Sequence, residues 1–174
     1  MNCTVSAQEP PLRVARFEKV SPARFIQDFS PLFGDGGAQA LSALRLPRRA
    51  TTGSAGYDFF SPAAFSLAPG ESVTLPTGVR VWMQPGWVLQ IFPRSGLGFR
   101  YRLRLDNTVG IIDQDYYFSD NEGHILCKLT NCGEKPLALA AGDAFAQGVF
   151  LPFGVTEDDC ARDTRNGGFG STGR

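Results

Sequence analysis

The decapeptide Asn107-Thr108-Val109-Gly110-Ile111-Ile112-Asp113-Gln114-Asp115-Tyr116 carries an aspartate out of an apolar run into a turn that holds a second aspartate and a tyrosine. A carboxylate at a strand end is well placed to act as a general base for water, or to stand near a metal. Asp113 also reads as a hairpin former, a common role, because Asp side chains bond to nearby backbone in turns. A second cluster, Phe92-Pro93-Arg94-Ser95-Gly96-Leu97-Gly98, sets a guanidinium and a hydroxyl where two glycines free the backbone at a strand end. A structural turn explains its proline and glycines but not the Arg-Ser pair. The C-terminal run Asn166-Gly167-Gly168-Phe169-Gly170-Ser171-Thr172-Gly173-Arg174 can fold successive N–H groups inward as an anion-binding nest, with Ser171, Thr172 and Arg165 as further donors. Phe169 could then cover a base. The alternative is a flexible glycine-rich terminus, and the G-x-x-x-x-G-K-[ST] loop is absent. Two weaker clusters are Ser54-Ala55-Gly56-Tyr57-Asp58, with one carboxylate, and Gly142-Asp143-Ala144-Phe145-Ala146-Gln147, whose amide needs a partner if buried.

The elements that must position these groups read as strands. Short β-branched and aromatic runs broken by Gly, Pro, Asn and Asp occur at Val14–Val20, Glu71–Leu75, Val79–Trp82, Trp87–Phe92, Tyr101–Leu105, Thr108–Ile112, Ile125–Thr130, Leu137–Ala140 and Ala144–Leu151. This spacing leaves no room for long crossover helices and predicts an all-β fold of sandwich or barrel type. Arg100, Arg102 and Arg104 alternate with apolar residues, which places them on one solvated strand face. Residues 21–44 fall outside the pattern and read as a surface insertion with one short helix over Ala38–Leu44 after a glycine-rich loop. Residues 1–153 form the expected core. Residues 154–174 hold almost no apolar side chain besides Phe169, so they form a mobile arm or dock onto something.

Composition narrows the function. With 17 basic and 17 acidic side chains the net charge is zero, which argues against nucleic acid or a membrane surface as partner. No apolar run is long enough to span a bilayer, and the N-terminus lacks the pattern of a secretion signal, so an intracellular protein, cytoplasmic or nuclear, is expected. Cys3, Cys127, Cys132 and Cys160 are scattered and read as free thiols rather than zinc ligands. His124 is the sole histidine, so any Ser-His or Cys-His catalysis would have to use it as the base.

Taken in order, AGYDFF (55–60), PRSGLG (93–98), NTVGIIDQDY (107–116), GDAFAQ (142–147) and NGGFGSTG (166–173) make the sequence resemble the trimeric dUTP pyrophosphatase (dUTPase) family. The resemblance covers roughly residues 46–173 and the strand near Val14–Val20. It implies a jelly-roll-like β-barrel, a homotrimer with sites built from more than one subunit, and a C-terminal arm closing over a neighbour's site. It also implies hydrolysis of dUTP to dUMP and pyrophosphate with Mg2+ held mainly by the triphosphate. By the same resemblance Asp113 is the base that deprotonates the attacking water, Tyr116 packs against the deoxyribose and Asn107 reads the uracil edge. Arg94, Ser95, Gly96 and Gln147 contact phosphates, Gly110 belongs to the substrate-binding hairpin, and Asp58 faces the metal through water. Phe169 stacks on uracil, and Gly170, Ser171, Thr172 and Arg165 serve the closing arm.

The sequence departs from the family pattern in four places. The arm's arginine stands one position late, at Arg165, with Arg162 as the other candidate. Ala144 replaces a common arginine, residues 117–121 resemble a five-residue insertion, and residues 21–44 resemble another. Two alternatives share the fold: a non-catalytic interaction or signalling module, and a dCTP deaminase, whose chemistry relies on a glutamate in the active-site region.

Overall fold

A computed structural model describes residues 11–163 and 165. In chain order the elements are β1 (Ala15–Lys19), α1 (Pro22–Phe33), α2 (Gly37–Ala43), β2 (Arg48–Arg49), β3 (Tyr57–Phe60), β4 (Phe65–Leu67), β5 (Ser72–Pro76), β6 (Val79–Met83), β7 (Trp87–Pro93), α3 (Ser95–Tyr101), β8 (Leu103–Leu105), β9 (Gly110–Ile112), a 3-10 turn (Gln114–Phe118), β10 (Leu126–Asn131), β11 (Leu137–Leu139) and β12 (Ala144–Pro152). Strands dominate, and every pairing among them is antiparallel. They form a five-stranded sheet β2-β3-β12-β7-β9, a three-stranded sheet β5-β10-β8 and the pairs β1-β6 and β11-β4. The jelly-roll-like β architecture expected from the sequence is therefore present as open sheets, with three helices where an all-β barrel with one short helix was expected.

The strands follow their side-chain alternation. In β6, Val79, Val81 and Met83 are buried while Arg80 and Trp82 are less so; in β10, Cys127, Leu129 and Asn131 point inward. The two faces meet around Phe59, Leu75, Leu89, Ile91, Leu103, Ile125, Leu129, Leu137 and Phe145, all nearly inaccessible. Burying each such side chain is worth about 1.5–3 kcal/mol relative to exposure. Cys127 lies in this core, where burial pushes its thiol up to about 12, so it is inert as a nucleophile.

Residues 21–44 correct the expectation of a surface loop with one short helix. α2 lies close to the expected segment, but it is preceded by the twelve-residue α1. Phe25, Phe29 and Phe33 recur at helical spacing; Phe25 and Phe29 are buried and Phe33 packs beside them. Ser21 caps α1, its hydroxyl accepting from the Arg24 N–H at 3.1 Å, and Pro22 follows in the first turn. Gly34, at φ 72°, ends it with an N–H to the Ser30 carbonyl. The arginine face is corrected too: Arg100 lies in α3, Arg102 adopts a left-handed φ of 48° as its C-cap, and only Arg104 lies on β8. Among the described residues no helix is long and apolar enough to cross a membrane.

Gly78 joins the helical insertion to the sheets. Its φ is +71°, and a Cβ there would stand 2.6 Å from Leu44 Cδ2 and 3.1 Å from Phe25 Cε2. Gly78→Ala should therefore cost about 1–3 kcal/mol through backbone strain and overpacking, read as a lower urea midpoint with an unchanged slope.

Candidate active site

Asp58, Gln147 and Arg94 converge where three neighbouring strands of the large sheet run together. The register sets Gln147 of β12 opposite Asp58 of β3 on one side and opposite Phe92 of β7 on the other. Asp58 is almost buried, and the Gln147 amide donates to its Oδ1 at 3.5 Å. Arg94, just past the end of β7, holds a guanidinium nitrogen 3.9 Å from Asp58 Oδ2 while remaining half exposed. The expected turn after Arg94 is instead the short helix α3, opened by exposed Ser95 and Gly96. This end of the sheet thus presents a guanidinium, a hydroxyl and an amide around one carboxylate, a donor set suited to phosphate oxygens.

Asp113 and Tyr116 stand at the other end of the same sheet. Gly110 is buried in β9, paired with Ile91, and Ile112 pairs with Leu89, so Asp113 emerges level with the start of β7. From Val88 to Arg94 is six residues of extended chain, about 20 Å at ~3.3 Å per residue. One chain therefore does not bring Asp113 to Arg94, Gln147 and Asp58. Asp113 is half exposed and precedes the 3-10 turn that contains Asp115 and Tyr116. Asn107 is exposed at the tip before β9 and lines an open recess of about 280 Å³ with Thr74, Leu126 and Lys128. Arg165 reaches back to this hairpin: Nη2 donates to Asp113 Oδ2 at 2.5 Å and Nε to Asp115 Oδ1 at 3.0 Å. Its guanidinium carbon lies 5.6 Å from the Tyr116 ring centroid. Arg162 is exposed, and Phe169, Gly170, Ser171 and Thr172 lie outside the described residues.

The dUTPase family profile matches residues 43–173, the segment that holds both clusters. The chain belongs to the dUTPase family. Deoxyuridine 5'-triphosphate nucleotidohydrolase of Lactococcus lactis is 42% identical over 135 residues, covering 76% of this chain and 90% of that protein. The same enzyme of Actinobacillus pleuropneumoniae is 38% identical over 137 residues, covering 74% and 87%. The crystal structure of dUTPase from Streptococcus mutans superposes with a TM-score of 0.62 at 35% identity, covering 81% of this chain and 98% of that one. The protein is accordingly a hydrolase, a dUTP diphosphatase.

Sequence reasoning missed what lies beneath the dUTPase hairpin. Tyr116 is buried; its hydroxyl donates to the His124 carbonyl at 2.8 Å and accepts from Asn121 Nδ2 at 2.7 Å. The His124 side chain is inaccessible, with Nε2 accepting from the Gly78 N–H at 2.8 Å and Nδ1 2.6 Å from Asp28 Oδ2. An acceptor at Nε2 requires the hydrogen on Nδ1, so Nδ1 donates to Asp28. Segment 117–121 docks rather than loops out: Tyr117 donates to Glu18 at 2.7 Å beneath the Arg80 guanidinium. Hydrogen bonds from Arg16, then Tyr117 and Arg80, hold the Glu18 carboxyl down to about 2. Asp28, Gly78, Glu18 and Arg80 lie far along the chain from the His124 and Tyr117 side chains they meet, so no local spacing could have announced those contacts.

Burial pushes the His124 imidazole below its ordinary value, against the opposing pull of Asp28. The unfolded chain therefore takes up its proton at a higher pH, near 6.5, than the folded chain does, so His124 supports stability fully above that pH and less as pH falls below it. Thermal scans between about pH 8 and pH 5 should show the midpoint falling below about 6.5, with a shallower fall in His124→Gln.

Proposed function

We propose that the chain hydrolyses dUTP in sites composed from two copies, with the Asp113–Tyr116 hairpin of one facing the Asp58–Arg94–Gln147 cluster of its neighbour in a homotrimer. The observation that carries this is the placement of the two clusters at opposite ends of β7. A water oxygen attacks the α-phosphorus, the α-phosphorus–bridging-oxygen bond breaks, pyrophosphate leaves, and Asp113 takes the water's proton. Arg94, Ser95, Gly96 and Gln147 bind the phosphates and hold them in line for displacement.

The protein's donor set fits a Mg2+ ion carried in by the substrate. Such an ion keeps several waters and takes one or two carboxylates plus phosphate oxygens. Asp58, with one oxygen turned to Gln147 and one beside Arg94, would meet that water shell. When bound, the ion neutralises charge on the triphosphate. Tyr116 forms the wall against which the deoxyribose packs, where a ribose 2′-hydroxyl would clash. Asn107 offers an amide donor and acceptor to the uracil edge, a pairing whose loss leaves buried groups unmatched. Residues 154–174 form the arm that closes the composite site, with Arg165 at the hairpin and Phe169, Gly170, Ser171 and Thr172 over base and phosphates.

The direct test is incubation with dUTP and Mg2+ while pyrophosphate is followed. Release of pyrophosphate with dUMP is expected. Release of ammonia, or tight dUTP binding without turnover, would overturn the reading.

A further inference from the structure

Helix α1 lies entirely before the segment that the family profile matches, yet its side chains reach the back of the sugar-facing hairpin. Asp28 and Arg24 pair one turn apart on α1, and Asp28 holds His124 Nδ1. With Gly78 donating to the other ring nitrogen, the imidazole is pinned at both nitrogens, which fixes the peptide at His124. That peptide's carbonyl accepts the Tyr116 hydroxyl at 2.8 Å and also the Asn121 amide at 3.3 Å, while Asn121 donates to the same phenol oxygen. A second tie closes the arrangement: Glu122 accepts from the Ser21 N–H at 2.8 Å and hydroxyl at 2.6 Å, fastening the start of α1 to the loop.

We propose that the Asp28–His124 pair is a positioning device for Tyr116, and that α1 thereby sets how strictly the enzyme rejects ribonucleotides. The inference rests on Tyr116 facing the deoxyribose. An aromatic wall rejects a 2′-hydroxyl only if it does not yield, because a ring free to tilt opens the room the extra oxygen needs. A phenol held by a donor and an acceptor, each anchored in turn, cannot tilt without breaking buried hydrogen bonds. Asp28 and His124 act through Tyr116 and touch neither substrate nor reacting atoms.

The test compares kcat/KM for dUTP and UTP in purified full-length protein, with thermal midpoints recorded alongside. In Asp28→Ala the dUTP/UTP ratio should fall about tenfold, mainly because UTP turnover improves, while kcat for dUTP changes little. A lower midpoint with an unchanged ratio would mean a purely structural role and overturn the proposal. Asp28→Asn keeps the side chain's shape but weakens the charge-assisted hold on His124 Nδ1, so it decides the matter if Asp28→Ala does not fold. Asn121→Ala, which leaves α1 intact, should relax the ratio in the same direction. Tyr116→Phe removes the hydroxyl through which the device acts, so the double variant with Asp28→Ala should be no less selective than Tyr116→Phe alone. Additive losses would overturn the proposal. Tyr116→Ala separates the two layers: an unchanged ratio there would remove the sugar-facing reading itself, whereas a collapsed ratio with an unaffected Asp28→Ala removes only the positioning role.

Discussion

Asp113→Asn should bind dUTP as the parent does and lose turnover by about 10²–10⁴-fold, the range a positioned general base contributes. Asparagine has nearly the same shape, and its amide oxygen can still accept from Arg165, so the hairpin keeps its geometry. What disappears, on the proposed reading, is the basic lone pair that would take the water's proton. Asp113 is half exposed at the mouth of the 3-10 turn, so a water can reach it. Calorimetric titration with dUTP, paired with pyrophosphate release, separates binding from chemistry. Turnover that survives the substitution would transfer the base to Asp115, the other carboxylate held by Arg165.

Mixing two inactive variants should restore activity. Asp113→Asn spoils the hairpin half of every site and Arg94→Ala the phosphate half, so each pure preparation is inactive. When subunits are exchanged at equal amounts, about a quarter of the composite sites combine an intact hairpin from one copy with an intact phosphate cluster from its neighbour. Activity should therefore return to about 25% of the parent by random assortment. A site complete within one chain would stay dead after mixing. This outcome follows from the ~20 Å of β7 that separates the clusters and needs no assumption about the arm.

The strand framework was legible because alternation is a local signal: β6, β7, β10 and β12 stand within a residue or two of where their apolar periodicity puts them. Helix α1 was legible in principle. Ser21 and Pro22 mark its start, phenylalanines recur four residues apart and Gly34 marks its end, but the glycine-rich run that follows gave the region the look of a loop. Helix α3 was not legible. It contains Gly96 and Gly98, both poor helix formers, and runs into Arg102, whose left-handed backbone breaks the alternation that the arginines suggested. The candidate site divides in the same way. Its residue types are readable from short motifs, but Asp28, 96 positions from His124, and Gly78, 46 positions away, meet it only through the tertiary fold.

Strand β12 sits in the middle of the largest sheet yet is the last strand in chain order among the described residues. Its partners β3 and β7 are made long before it, and until it arrives each lacks its partner in the centre of that sheet. Loops of this span are slow to close, and the unpaired edges they leave are sticky. During synthesis, then, the chain must hold two half-sheets, β2-β3 and β7-β9, in waiting until β12 is made and joins them. The short β2 and β9 at the outer edges limit what those half-sheets can recruit in the meantime.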